Sequence, residues 1–201
     1  MKLKKLLALA LAGVMTAVTL TACTPLDAAE LVYDSIFGGG SSSTGGTGST
    51  AEEAENSAVA EGVAARFKGI YRNATVSYGV PELTSTIRPA FTPEWFKKDG
   101  AGNISKLNRD FPINSALTLD RFLRDSLKAY EQSNFISFYA FDSTGMSASA
   151  QAERFKNFES LPRVEVYAEP VRYDDITKLR VGVCHKTVEG REYCLVVVVG
   201  A

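Results

Sequence analysis

Three cysteines and one histidine are the residues of this 201-residue chain best suited to covalent or metal chemistry, and Cys184, His185 and Cys194 lie together near its end. Thr187 to Arg191 reads as a three-residue hairpin loop, a type I turn with Gly190 taking the left-handed position that closes a bulge. That register sets Thr187 against Arg191 and therefore Cys184 directly against Cys194. A non-hydrogen-bonded cross-strand pair has Cα atoms about 4.5 Å apart, within the tolerance of a disulfide. A structural Cys184–Cys194 disulfide is therefore expected, contributing roughly 2 to 3 kcal/mol in the chain-entropy account. A redox-active pair would need a short C-x-x-C at a helix start, and none is present. In this register His185 turns away from both cysteines and becomes a surface strand position. One histidine beside an oxidised pair leaves too few nitrogen and sulfur ligands for zinc, so neither metal nor other cofactor is expected.

Other nucleophiles and phosphate cradles are not signalled. No G-x-S-x-G elbow occurs, and Gly145 to Ser149 reads as a loop and helix cap. Gly38 to Gly40 sit in a low-complexity run, without the strand and helix that a phosphate loop requires. Glu94, Asp99, Asp110, Glu165 and Glu169 could supply a glycosidase-like carboxylate pair, but no spacing rule selects two of them. No catalytic residue is assigned.

The beginning of the chain carries a different chemistry. Lys2, Lys4 and Lys5 precede an uncharged apolar run of 15 residues, Leu6 to Leu20, which Leu20-Thr21-Ala22-Cys23 closes. The run is short of the about 20 residues that span a bilayer and suits the apolar region of a secretory signal peptide. Its ending resembles the lipobox of bacterial lipoproteins. The resemblance implies cleavage after residue 22, thioether linkage of Cys23 to diacylglycerol, and a mature chain held outside the cytoplasm on the cell membrane. Two acyl chains meet the two-signal requirement for stable anchoring.

Charge narrows the partners. The chain has 22 Lys+Arg and 23 Asp+Glu, and three of the lysines precede Cys23, which leaves 19 against 23. Such a balance gives no electrostatic attraction for nucleic acid. The expected partners are membrane lipid through acylated Cys23 and an envelope glycan or protein.

Positioning elements follow from periodicity. Thr24 to Phe37 has a weak helical pattern, and Gly38 to Thr50 is a Gly, Ser and Thr run with nothing to bury, a flexible tether of about 20 Å root-mean-square span. The organisation expected is a signal peptide at 1–22, a lipidated and tethered segment at 23–50 and one globular domain at 51–201. Thr50 and Glu53 form a capping box ahead of Val59, Val63 and Phe67, which marks a first helix. Residues 75–114 are broken by prolines and glycines and read as mostly irregular. Within them Phe91, Trp95 and Phe96 form an aromatic cluster that reads as core beneath a loop, with a sugar platform as the rival reading. Leu119, Phe122, Leu123, Leu127 and Tyr130 line a second helix, on which Asp120 and Arg124 make an i,i+4 pair. Phe135 to Phe141 reads as a strand, Ser147 to Phe158 as a third helix, and the alternation at Val164, Val166 and Ala168 as a further strand. Arg180 to His185 and Tyr193 to Val199 complete the hairpin. The expected fold is α+β: about three helices on a mostly antiparallel sheet ending in a C-terminal β-hairpin.

The segments from Gly145 to Phe155, Glu159 to Arg163, Leu179 to Lys186 and Tyr193 to Gly200 are similar in order to the end of bacterial CAP (SCP-like) domains. That resemblance implies an α-β-α sandwich. It carries over no activity, because the family's motif histidine is missing beside Pro162 and Arg163 and no earlier histidine exists. The function expected from these features is that of a membrane-anchored extracytoplasmic lipoprotein whose domain is a non-catalytic binding or envelope-interaction module. The alternative is a carboxylate-dependent glycan or peptidoglycan hydrolase of the envelope.

Overall fold

The computed structural model describes residues 50–201 except 103 and 169–172. The expected signal peptide, Cys23, the tether before Thr50 and Glu169 lie outside the described residues. Among the described residues, no helix is long and apolar enough to cross a membrane.

The first helix, α1 (Ala51–Ile70), starts at the expected capping box: the Thr50 hydroxyl accepts from the Glu53 N–H, and Glu53 accepts from the Thr50 N–H at 2.8 Å. Val59, Val63 and Phe67 recur at i,i+4 and are buried together with Ala60 and Ala64. The stretch that reads as irregular holds short elements: β1 (Thr75–Tyr78), the one-turn α2 (Ile87–Ala90), the hairpin β2 (Phe96–Lys98) and β3 (Ile104–Leu107), and β4 (Pro112–Asn114), which pairs with β5 (Leu117–Thr118) just beyond it. The second expected helix is α3 (Leu119–Ser126), capped by Thr118 and followed by a 3-10 turn at Lys128–Tyr130. After β6 (Phe135–Asp142), α4 (Ala148–Glu153) opens at Ser147 and passes into a 3-10 segment kinked at Asn157. The chain ends in β7 (Arg163–Ala168), β8 (Lys178–Val188) and β9 (Arg191–Gly200).

Five strands form one mixed sheet in the order β1-β8-β9-β6-β7, in which only the β1–β8 pairing is parallel. The architecture is therefore α+β with the expected terminal hairpin, and α2 is the helix that periodicity did not indicate. Central β9 is buried from Tyr193 to Gly200, the behaviour of a strand covered on both faces. One face packs under α1 and α4 through Phe67, Tyr139, Phe155 and Val196. The other packs under α2, α3 and the aromatic segment through Trp95, Leu123, Phe138 and Val197. Phe91, Trp95 and Phe96 are 2%, 0% and 6% exposed, so the aromatic cluster is core and offers no sugar platform.

The hairpin differs from expectation by one residue. Val188 pairs with Arg191, which leaves a two-residue turn in which Glu189 and Gly190 both have positive φ, 52° and 76°. Such a turn is of the primed kind that matches strand twist. The shift sets Cys184 opposite Leu195 and Cys194 opposite His185. Because side chains alternate, one residue of slip sends the two sulfurs to opposite faces of the sheet. Cys184 lies in the core under α2 and Cys194 in the core under α1, and both are free thiols. The expected disulfide is thereby overturned.

Candidate functional site

His185 is also corrected: it is 4% exposed and shares its sheet face with Cys194. Its Nδ1 lies 2.6 Å from Asn56 Oδ1 on α1, and its Nε2 lies 2.7 Å from Gln151 Oε1 on α4. The Gln151 amide is oriented by its own N–H groups, which donate to Glu55 Oε1 at 3.0 Å and to the Met146 carbonyl at 3.3 Å. Its oxygen must then face the ring, so Nε2 carries a proton. Burial pushes the His185 pKa down, against the pull of Glu55. A neutral ring has one N–H, here on Nε2, so Nδ1 must accept, which requires the Asn56 amide to exchange its oxygen and nitrogen by a half-turn about its last bond. The group is a sealed strut joining α1, α4 and β8. The thiols are equally inert: burial pushes Cys184 up to about 11 and raises Cys194 well above the ordinary range. Among the described residues no group of three or more His, Cys, Asp or Glu stands where it could hold a metal ion.

The candidate carboxylates sit on separate elements. Glu94 is on the 3-10 turn before β2, and Asp99 accepts from the Ala101 N–H at the tip of the β2–β3 hairpin. Asp110 lies in the turn that Phe111 closes on Asn108, and Glu165 on β7 pairs with Arg163 at 2.9 Å.

Concave polar surface lies at the end of the sheet beneath the turn that follows α3, and of these carboxylates only Glu165 reaches it. One cavity, of about 200 Å³, is lined by Tyr130, Gln132, Ser133, Lys178, Arg180 and Val199 among others. A second, of about 380 Å³, is lined by Arg109, Arg124, Glu131, Ser133, Glu165 and Tyr167 among others. Ser133 belongs to both walls, so the two cavities adjoin there as a divided trough. Register explains the arrangement: Arg180 pairs with Val199, Val199 with Ile136 and Ile136 with Tyr167, one row across β8, β9, β6 and β7. Three strand spacings of about 4.8 Å separate its ends by about 14 Å. Both ends carry a cation over a tyrosine ring, Arg180 over Tyr130 at 5.5 Å and Arg124 over Tyr167 at 4.9 Å.

The electrostatics of the two ends differ. At the β7 end Asp120 accepts from Arg109 Nε and Arg124 Nε, each at 3.0 Å. Partial burial pushes the Asp120 carboxyl up, but the bonds from Arg109 and Arg124 outweigh it and hold the group below the usual carboxylate range. At the β8 end Lys178 and Arg180 take part in none of the ion pairs among the described residues. They project from the same side of β8, two residues apart, because strand side chains alternate.

Of the trough, sequence reasoning singled out Glu165 as a candidate carboxylate, Arg124 through its pair with Asp120, and Tyr130 on a helical face. It missed Lys178, Arg180, Arg109, Ser133 and Tyr167. The i,i+2 spacing of Lys178 and Arg180 beside buried Leu179 was the one available signal. Comparison with protein families, with curated proteins and with solved structures found no match to this chain.

Proposed function

We propose that this chain is a membrane-anchored extracytoplasmic lipoprotein whose tethered α+β domain is a non-catalytic binding module of the cell envelope. The anchor rests on residues 1–23, where a cationic start, a short apolar run and small residues lead to Cys23. The observation that carries the binding reading is the chemistry of the trough. Its lining consists of guanidiniums, a lysine, tyrosines, a serine and carboxylates, groups that hold a polar ligand through hydrogen bonds and charge. The histidine and both thiols meanwhile have their reactive atoms enclosed in the core.

Two measurements test this reading. Metabolic labelling with an alkyne fatty acid should mark the full chain and be lost in Cys23→Ala, and labelling that survives that substitution removes the anchor. The full chain in detergent should retain solubilised envelope glycan or envelope protein on a column. Turnover of a peptidoglycan substrate by the same preparation would replace a binding module with a hydrolase.

A further inference from the structure

We propose that the smaller cavity, walled by Tyr130, Lys178 and Arg180, binds a phosphate monoester group. This inference rests on the binding-module reading and names the ligand chemistry of one part of that same site.

The two cavities differ in charge balance. In the larger one Arg109 and Arg124 are answered by Glu131 and Glu165 on the wall and by Asp120, to which both arginines donate. The smaller one has no carboxylate side chain on its wall; its polar side chains are those of Tyr130, Gln132, Ser133, Lys178 and Arg180. The Ala201 carbonyl, on the same wall, accepts from the Thr177 and Lys178 N–H groups, each at 2.7 Å. Lys178 and Arg180 take part in none of the ion pairs among the described residues. Two positive charges without a side-chain carboxylate suit a dianion. A phosphate monoester carries a charge of about −1.5 to −2 at neutral pH, whereas a carboxylate or a phosphate diester brings one.

Geometry favours the same group. Leu179 is 1% exposed and belongs to the core under α1, so Lys178 and Arg180 stand together on the other face of β8. Their Cα atoms are about 6.6 Å apart, close enough for two long side chains to converge on one tetrahedral group. The Arg180 guanidinium lies over the Tyr130 ring at 5.5 Å, a stacking that leaves the N–H fork along its rim open to an oxyanion. Lys178 adds a compact charge, and Tyr130, Gln132 and Ser133 add neutral donors. Three terminal phosphate oxygens can engage fork, ammonium and hydroxyl at once, where a carboxylate offers two. At about 200 Å³ the cavity is smaller than the roughly 300 to 1,000 Å³ that encloses a drug-sized ligand, so it takes the headgroup and leaves the rest of the ligand outside.

The test is equilibrium binding to the full chain in an uncharged detergent and a phosphate-free buffer, with inorganic phosphate, glycerol phosphate, short-chain phosphatidic acid, diethyl phosphate and acetate as probes. Inorganic phosphate and glycerol phosphate should bind, with diethyl phosphate and acetate at least about tenfold weaker. Phosphatidic acid binding tighter than glycerol phosphate assigns the group to a lipid headgroup, and equal or weaker binding assigns it to a soluble ligand; both results support the site. Lys178→Gln and Arg180→Gln should each weaken glycerol phosphate by about tenfold, the scale of a lost charge-assisted hydrogen bond, with the melting temperature unchanged. Lys97→Gln, on exposed β2 and outside both cavities, should leave binding as it was. Absence of phosphate binding, acetate or diethyl phosphate binding as tightly, indifference to both cavity substitutions, or an equal loss in Lys97→Gln would overturn the proposal. If the chain still retains envelope material in that case, the binding-module reading survives without this ligand.

Discussion

Cys194 lies directly across the β8–β9 ladder from His185, while Cys184 faces Leu195 on the other side of the sheet. Thiol–disulfide chemistry between the two cysteines would require a one-residue slip of the hairpin, which would carry a whole row of buried valines to the wrong face. Both thiols should therefore remain unreacted with an alkylating probe in the native protein and react fully in denaturant. Non-reducing mass spectrometry finding a mass two hydrogens lower would overturn the register.

The His185 strut should make stability depend on pH. The unfolded ring takes a proton near its ordinary pKa of 6.5, whereas burial holds the folded ring's pKa lower despite Glu55, Glu192 and Glu52, with Arg88 acting in the same direction as burial. Below about pH 6.5 the unfolded state binds more protons, so stability present at neutral pH is lost as pH falls towards the folded pKa. Denaturant titrations at pH 7.5 and 5.5 should show this loss in the wild type and a smaller one in His185→Ala. That variant should also lose about 2 to 4 kcal/mol at neutral pH, because Asn56 and Gln151 are left without their ring partner.

The turn offers a gain. Glu189 adopts φ 52°, a conformation that asparagine tolerates far better. Glu189→Asn should stabilise the domain by about 0.5 to 1 kcal/mol, and Gly190→Val should destabilise it by at least about 1 kcal/mol. Thermal unfolding of the two variants should move in opposite directions.

Two glycines of α1 should likewise respond with opposite signs. A Cβ on Gly62 would stand 2.4 Å from the Ala152 Cβ on α4, whereas one on Gly69 meets nothing within 4 Å. Gly69→Ala should gain about 0.5 to 1 kcal/mol of helix propensity. Gly62→Ala should lose about 1 to 2 kcal/mol, because overpacking a helix crossing outweighs that propensity. A chemical denaturation midpoint that rises in both variants would show α1 and α4 to be further apart than described.

Local rules made much of the fold legible and long-range ones did not. The Thr50–Glu53 capping box, the i,i+4 spacing at Val59, Val63 and Phe67, and the apolar run of β9 each act within a few residues, and each is found in the structure. Ser147 caps α4 as expected, but the helix gives way to 3-10 turns at Arg154, where Phe155 packs against Tyr139 and Phe141. Ala168 was expected to alternate inward with Val164 and Val166, yet a register shift between Ile136 and Ser137 leaves it exposed. The hairpin was misjudged because Glu189 carries no side-chain signature of a left-handed residue, whereas the adjacent glycine does. The trough escaped notice because Arg180 and Tyr167 are set in one row through three strand pairings, none encoded near either residue.

The last strand is also the central one. Until residues 191–200 are available, β1–β8 and β6–β7 are half-sheets whose inner edges have no partner, and neither core has its floor. A chain elongating at about 5–20 residues per second thus carries unpaired edges and uncovered valines until residues 191–200 have emerged. Assembly of the sheet is accordingly withheld by topology until β9 has been made, so the earlier strands stay threadable up to that point.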